Sequence, residues 1–130
     1  MTMRIEHVAV WTHDLERLRD FHARWFGAVA NARYDSRNTP GLATHFLTWP
    51  GGGARLEVMT LPTLADAAPH PAVGWAHLAV QVSSEQAVRD LVEAMRAAGV
   101  PVVSEPRTTG DGYYEAVVAD PDGNRIEITA

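Results

Sequence analysis

Apolar and polar residues alternate along Ile5-Glu6-His7-Val8-Ala9-Val10-Trp11 and again along Gly74-Trp75-Ala76-His77-Leu78-Ala79-Val80-Gln81-Val82. In the second stretch Ala76, Leu78, Val80 and Val82 fall on one side of an extended chain. Trp75, His77, Ala79 and Gln81 fall on the other, as the two-residue side-chain period of a strand requires. The stretch reads as a buried strand. In the first, Val8 and Val10 share a face opposite Ile5, His7, Ala9 and Trp11. A strand with one apolar side and Trp, His and Gln on its reverse suits a sheet that lines a pocket.

The pattern between these stretches predicts the remaining elements. After the turn Thr12-His13-Asp14, with Asp14 as helix N-cap, Leu15, Leu18, Phe21, Trp25 and Phe26 recur at helical spacing and Gly27 terminates the run. Strands are expected at 28–34, 43–49 and 54–59, with a loop at 35–42 and a turn at Pro50-Gly51-Gly52-Gly53. The segment 61–73 carries three prolines and reads as a linker. The second half follows the same order: a helix opened by a capping box of Ser83 and Gln86, with Val88, Leu91, Val92 and Met95 as its buried stripe. Gly99 and Pro101 end it. Strands are then expected at 100–104, 113–119 and 124–129, with a loop at 107–112 and the turn Asp120-Pro121-Asp122-Gly123.

An offset of 70 positions superposes the halves, carrying His7 onto His77, Leu18 onto Val88, Phe21 onto Leu91 and Trp25 onto Met95. Pro50–Gly53 falls on Asp120–Gly123, and Arg55-Leu56-Glu57 on Arg125-Ile126-Glu127. Such register points to a βαβββ unit written twice. The expected fold is α+β: tandem modules at about 3–60 and 74–130, within one domain of 1–130, their strands forming a curved mixed sheet.

Composition narrows the chemistry. Cysteine is absent, which excludes disulfides, thiolate metal sites and cysteine nucleophiles. All 11 basic residues are Arg, so no Schiff-base lysine exists. A net charge of −5 without a basic stripe argues against nucleic-acid binding. No apolar run is long enough to span a bilayer. Met1-Thr2-Met3-Arg4 leads into a strand and a charged helix, not an apolar signal core, so a cytoplasmic location is expected.

The candidate chemistry lies in two pairs, His7 with Glu57 and His77 with Glu127, each spaced by 50 residues. Their flanking neighbours Val8, Leu56, Val58, Leu78, Ile126 and Ile128 must face the helices. The four polar side chains therefore face the hollow of the sheet, where ionisable groups need partners or solvent. Two imidazoles and two carboxylates make a mixed N/O set for a divalent metal, with coordination positions left open for catalysis. His13, His22 and His70 are expected at the surface, and the parity of His45 is undetermined. Trp11, Trp75 and Met59 share the inward parity and suit either a pocket wall or core packing. For Arg55 and Arg125, which share it too, guiding an anion and a place at the rim are both compatible with the pattern. Tyr113 and Tyr114 follow the glycine-rich Gly110-Asp111-Gly112 and suit a lid or ordinary strand positions.

These residues resemble the vicinal oxygen chelate superfamily (glyoxalase, bleomycin resistance, dioxygenase), and within it the bacterial glyoxalase I-like proteins. The carriers are Ile5-Glu6-His7-Val8-Ala9-Val10, Arg55-Leu56-Glu57-Val58-Met59, Gly74-Trp75-Ala76-His77-Leu78-Ala79-Val80 and Asp120-Pro121-Asp122-Gly123-Asn124-Arg125-Ile126-Glu127. The resemblance implies a divalent metal held by His7, Glu57, His77 and Glu127, with nickel or cobalt favoured over zinc or manganese. It implies Glu127 as catalytic base, with Glu57 as the other carboxylate able to serve. The implied reaction isomerises an α-oxoaldehyde–thiol hemithioacetal to a 2-hydroxyacyl thioester through an enediolate. It also implies a small-molecule substrate pocket, to which Trp11, Met59, Trp75, Arg55, Arg125 and Tyr114 are assigned, and a homodimer with sites at the subunit interface. The positions where relatives that use glutathione carry Arg and Asn hold Trp11-Thr12 and Thr60-Leu61 here. Other implied activities are an epimerase, a dioxygenase, a fosfomycin-type thiol transferase or a non-catalytic drug-binding dimer.

Overall fold

In the computed structural model, which describes residues 1–130, the chain forms two units, Met1–Asp66 and Ala67–Ala130. Each is a mixed sheet backed by one helix, and the two repeat the βαβββ order. No helix is long and apolar enough to cross a membrane.

The first unit runs β1 (His7–Trp11), α1 (Leu15–Phe26), β2 (Val29–Ala30), β3 (Tyr34–Asp35), β4 (Ala43–Thr48) and β5 (Arg55–Thr60). Its sheet order is β1-β5-β4-β2, with β3 also on β4. The single strand expected at 28–34 is therefore interrupted. Val29 faces Thr48 and Ala30 faces Leu47, but Tyr34 faces Thr44, so the outer strand carries one extra residue. Asn31 occupies the break: its N–H donates to Phe46 O at 3.0 Å and its Oδ1 accepts from Phe46 N at 2.8 Å. The helix boundaries follow their signals. Asp14 accepts from Arg17 N, and Gly27 caps the C-terminus at φ 71°, a left-handed conformation that glycine adopts at no steric cost. Leu15, Leu18 and Phe21 bury themselves with Leu47, Leu56 and Val58.

The second unit runs β6 (Leu78–Gln81), α2 (Glu85–Ala97), β7 (Val102–Thr108), β8 (Tyr114–Ala119) and β9 (Arg125–Thr129), in sheet order β6-β9-β8-β7. Three expectations change. The buried strand at 74–82 reduces to Leu78–Gln81, because Gly74 sits at φ 143° and Trp75 remains 84% exposed. The helix cap is Ser84, one residue later than expected, accepting from Ala87 N at 3.1 Å. The strand expected at 100–104 continues to Thr108 past Pro106. An edge strand tolerates a proline, and the register shifts between Ser104 and Arg107.

The repeat is visible in the ladders. β1 runs parallel to β5 with Ala9 opposite Glu57, and β6 runs parallel to β9 with Ala79 opposite Glu127. The offset of 70 holds for these four strands but becomes 71 between β4 and β8, since Thr44 faces Met59 while Glu115 faces Thr129. The connection into β5 is one residue longer than that into β9. The shorter connection is closed by Asp120, only 5% exposed, which accepts at 2.9 Å from Asp122 N, Asn124 N and Asn124 Nδ2. Burial raises its carboxyl above the usual range against the pull of those bonds. The Asp-Pro-Asp-Gly-Asn run is thus a turn held by one buried side chain.

His22 contradicts its expected surface position. It is 1% exposed, ringed by Phe21, Phe26 and Trp49, and its Nδ1 has no hydrogen-bond partner. Burial lowers its pKa to about 4, so the folded chain keeps it neutral where the unfolded chain, near the ordinary value, takes up a proton. Its contribution to stability is therefore intact above about pH 6.5 and falls away between there and about pH 4, a loss of about 3 kcal/mol. Urea unfolding of wild type and His22→Phe at pH 7 and pH 4.5 checks this. The variant should lose less stability on acidification, and equal losses would reject the assignment.

Candidate metal centre

Parallel pairing of β1 with β5 brings His7 and Glu57 to one face of the first sheet. Glu57 stands opposite Ala9, so His7 lies diagonally across, and its Nε2 is 3.8 Å from Glu57 Oε1. Glu57 also faces Phe46 on β4. The Phe46 ring meets the His7 imidazole edge-on at 5.2 Å and lies 4.1 Å beneath the Arg55 guanidinium. Glu6, just before β1, closes the cluster: its carboxylate contacts His7 Nδ1 through one oxygen and accepts from Arg55 Nη2 through the other. The bond with His7, and then that with Arg55, holds the Glu6 carboxyl below its usual range.

The second sheet repeats the diagonal. His77, immediately before β6, places Nε2 3.2 Å from Glu127 Oε2, and Glu127 stands opposite Ala79. Both glutamate side chains are 16% exposed, whereas the imidazoles are 40% and 43% exposed. Each unit therefore offers a sheltered carboxylate beside a nitrogen that solvent can reach. Glu115, which the sequence reading did not single out, is held above its usual carboxylate range by the neighbouring Glu127 carboxylate and then by desolvation. Its signal was available: in β8 it alternates with the buried Ala116 and Val118.

The remaining candidates separate by face. Trp11 and Met59 stand opposite each other on the His7 side of the first sheet, with Trp11 49% exposed. Arg55 and Arg125 keep the parity of the glutamates. Trp75 precedes β6 and is not in the ladder. Tyr114, assigned to the pocket from sequence, turns to the helix side instead, where its hydroxyl accepts from Arg89 Nη1 at 2.9 Å. The one-residue slip in β8 gives the inward parity to Glu115. The segment 109–113 is a bonded turn, Thr109 N donating to Tyr113 O at 2.7 Å. His45 faces the helix, 3% exposed, with Nδ1 2.8 Å from Asn31 O. His13 pairs with Asp66 at 3.1 Å, and His70 is exposed.

Neither unit gathers three or more His, Asp or Glu side chains able to hold an ion; each supplies two donors. Their chemistry fits a borderline divalent metal. Neighbouring donors at about 2.1 Å from one ion lie about 3.0–3.4 Å apart. The separations of 3.2 and 3.8 Å are close to that spacing.

Residues 4–128 match the model of the Glyoxalase/Bleomycin resistance protein/Dioxygenase superfamily. Among solved structures, the chain is similar to the trypanothione-dependent glyoxalase I of Leishmania major, with 25% identity and a TM-score of 0.79 over 98% of this chain and 86% of that one. A glyoxylase/bleomycin resistance protein/dioxygenase domain from a Frankia species shares the fold with a TM-score of 0.83 at 16% identity, covering 99% of this chain and 98% of that one. For glyoxalase I of Zea mays the TM-score is 0.79 at 22% identity, over 97% of this chain and 44% of that one. No match is found among the curated proteins.

Proposed function

This chain belongs to the Glyoxalase/Bleomycin resistance protein/Dioxygenase superfamily, and from that premise we propose that it is a metal-dependent lyase of the glyoxalase I kind. The substrate class is the hemithioacetal of an α-oxoaldehyde and a small thiol, and the product a 2-hydroxyacyl thioester. One observation carries this reading: the same His–Glu diagonal recurs in both units, with a sheltered carboxylate each time. A divalent cation, nickel or cobalt before zinc or manganese, would be held by His7, Glu57, His77 and Glu127 and would supply Lewis-acid polarisation of the two adjacent substrate oxygens.

The chain's own residues do the rest. Glu127 takes the proton from the carbon that bears sulfur and delivers it to the neighbouring carbon, while the hydroxyl proton passes from the first oxygen to the second, so the reaction is a balanced isomerisation with no external oxidant. Its 16% exposure limits exchange of that proton with bulk water. Glu57 has equal exposure and is the alternative base. Trp11 and Met59 offer apolar contact to the aldehyde side chain, while Arg55 and Arg125 offer cations to an acidic thiol. Because one histidine and one glutamate come from each kind of unit, the complete site joins both kinds. We place it in a cytoplasmic homodimer, with His7 and Glu57 of one protomer meeting His77 and Glu127 of its partner.

Metal analysis of the native protein, followed by assay with methylglyoxal and several thiols, tests the reading. A stoichiometric divalent metal and thiol-dependent turnover are expected. A protein with neither would be a non-catalytic ligand binder of the same fold.

A further inference from the structure

The two imidazoles are not supported alike. Around His7, Glu6 bridges the Nδ1 edge of the ring to Arg55, and Arg55 in turn lies on Phe46. The backbone assists, since Arg55 N donates to Glu6 O at 3.0 Å. At the equivalent positions around His77 stand Ala76 and Val117, which provide neither a carboxylate nor an aromatic ring. An ionised carboxylate has only acceptors, so a ring nitrogen within hydrogen-bond reach of one must carry hydrogen. Glu6 is within that reach of Nδ1, whereas Glu57, 3.8 Å from Nε2, is not. In a neutral imidazole the other nitrogen is then bare, and in His7 that is Nε2, the atom directed at Glu57.

We propose that Glu6 is a positioning residue that holds His7 as the Nδ1–H tautomer with Nε2 presented to the metal, a role that has no counterpart at His77. The proposal rests on the metal-centre reading for its purpose, but its geometry stands within the first unit alone. Carboxylates behind metal-bound histidines fix tautomer and ring direction, and their loss costs about 10- to 100-fold in affinity.

Two readouts test it, on the full chain and on Glu6→Ala, with Glu105→Ala as a control on the second helix–strand layer. In metal-free protein, nitrogen-15 NMR of the imidazoles should show His7 mainly as the Nδ1–H form. Glu6→Ala should shift His7 towards the Nε2–H form while His77 is unchanged, and Glu6→Asp should restore part of the effect. Chelator competition with nickel should show affinity lowered about 10- to 100-fold in Glu6→Ala and unchanged in Glu105→Ala. Unaltered His7 tautomers in Glu6→Ala, or nickel affinity within twofold of wild type, would overturn the proposal. If wild type binds no nickel, the metal-centre reading fails and the tautomer measurement alone decides the role of Glu6.

Discussion

Glu127→Gln protein is expected to keep its metal and to lose turnover by about a thousandfold or more. The amide still offers an oxygen to the cation, so binding weakens without disappearing. What it cannot do near neutral pH is accept a proton from carbon. The loss should fall on kcat with little change in KM, because the side chain acts in the transition state more than in binding. Metal content by mass spectrometry and steady-state kinetics on one preparation separate the two effects. A rate within about tenfold of wild type would move the base to Glu57, for which Glu57→Gln is the companion test.

The second large effect concerns assembly. His7→Ala and His77→Ala proteins should each be almost inactive alone, since each removes one of four proposed donors. Mixed in equal amounts and allowed to exchange subunits, they should recover about a quarter of wild-type activity. Half of the dimers would then be mixed, each with one doubly damaged site and one intact site. If each chain built its own site, every site would keep a lesion and mixing would restore nothing. Activity and exchange must be followed together, exchange by native mass spectrometry. Silence despite complete exchange would falsify the shared site.

The candidate donors were legible because a strand has a strict period and the chain repeats itself. Val8, Leu56, Val58, Ile126 and Ile128 declare the helix side of their strands, so His7, Glu57 and Glu127 could be assigned to the other. The first helix was legible to the residue, from Asp14 to Gly27, because both caps carry side-chain or backbone chemistry of their own. Where the reading went astray, a tertiary effect outranked a local one. Trp75 and His77 alternate as a strand should, yet the chain enters the ladder only at Leu78. The strand expected to stop at Ser104 runs on to Thr108, because on an edge strand the missing donor of Pro106 matters little. His22 looked polar enough for the surface, although its place seven residues after Leu15 and four after Leu18 sets it on the apolar stripe of the helix, where Phe21, Phe26 and Trp49 close around it. Tyr114 shares its face with the buried Ala116 and Val118, so the two-residue period of β8 puts it on the helix side and leaves the opposite face to Glu115. Glu6 was invisible as a partner of Arg55, since only the parallel ladder brings residues 49 apart into contact.

That ladder also sets the order in which a newly made chain can become functional. In each unit the first strand pairs with the last, at a sequence separation of 48 residues between facing positions such as His7 and Arg55. A helix or hairpin closes from neighbours as it is synthesised; this pairing must wait for the final strand to emerge. The histidine is therefore made early and left without its glutamate until the unit is complete. On the proposed metal-centre reading, metal uptake would be the last event of folding, and a chain stopped short of Arg125 would carry a finished first unit, an incomplete second one and three of the four proposed donors, lacking Glu127.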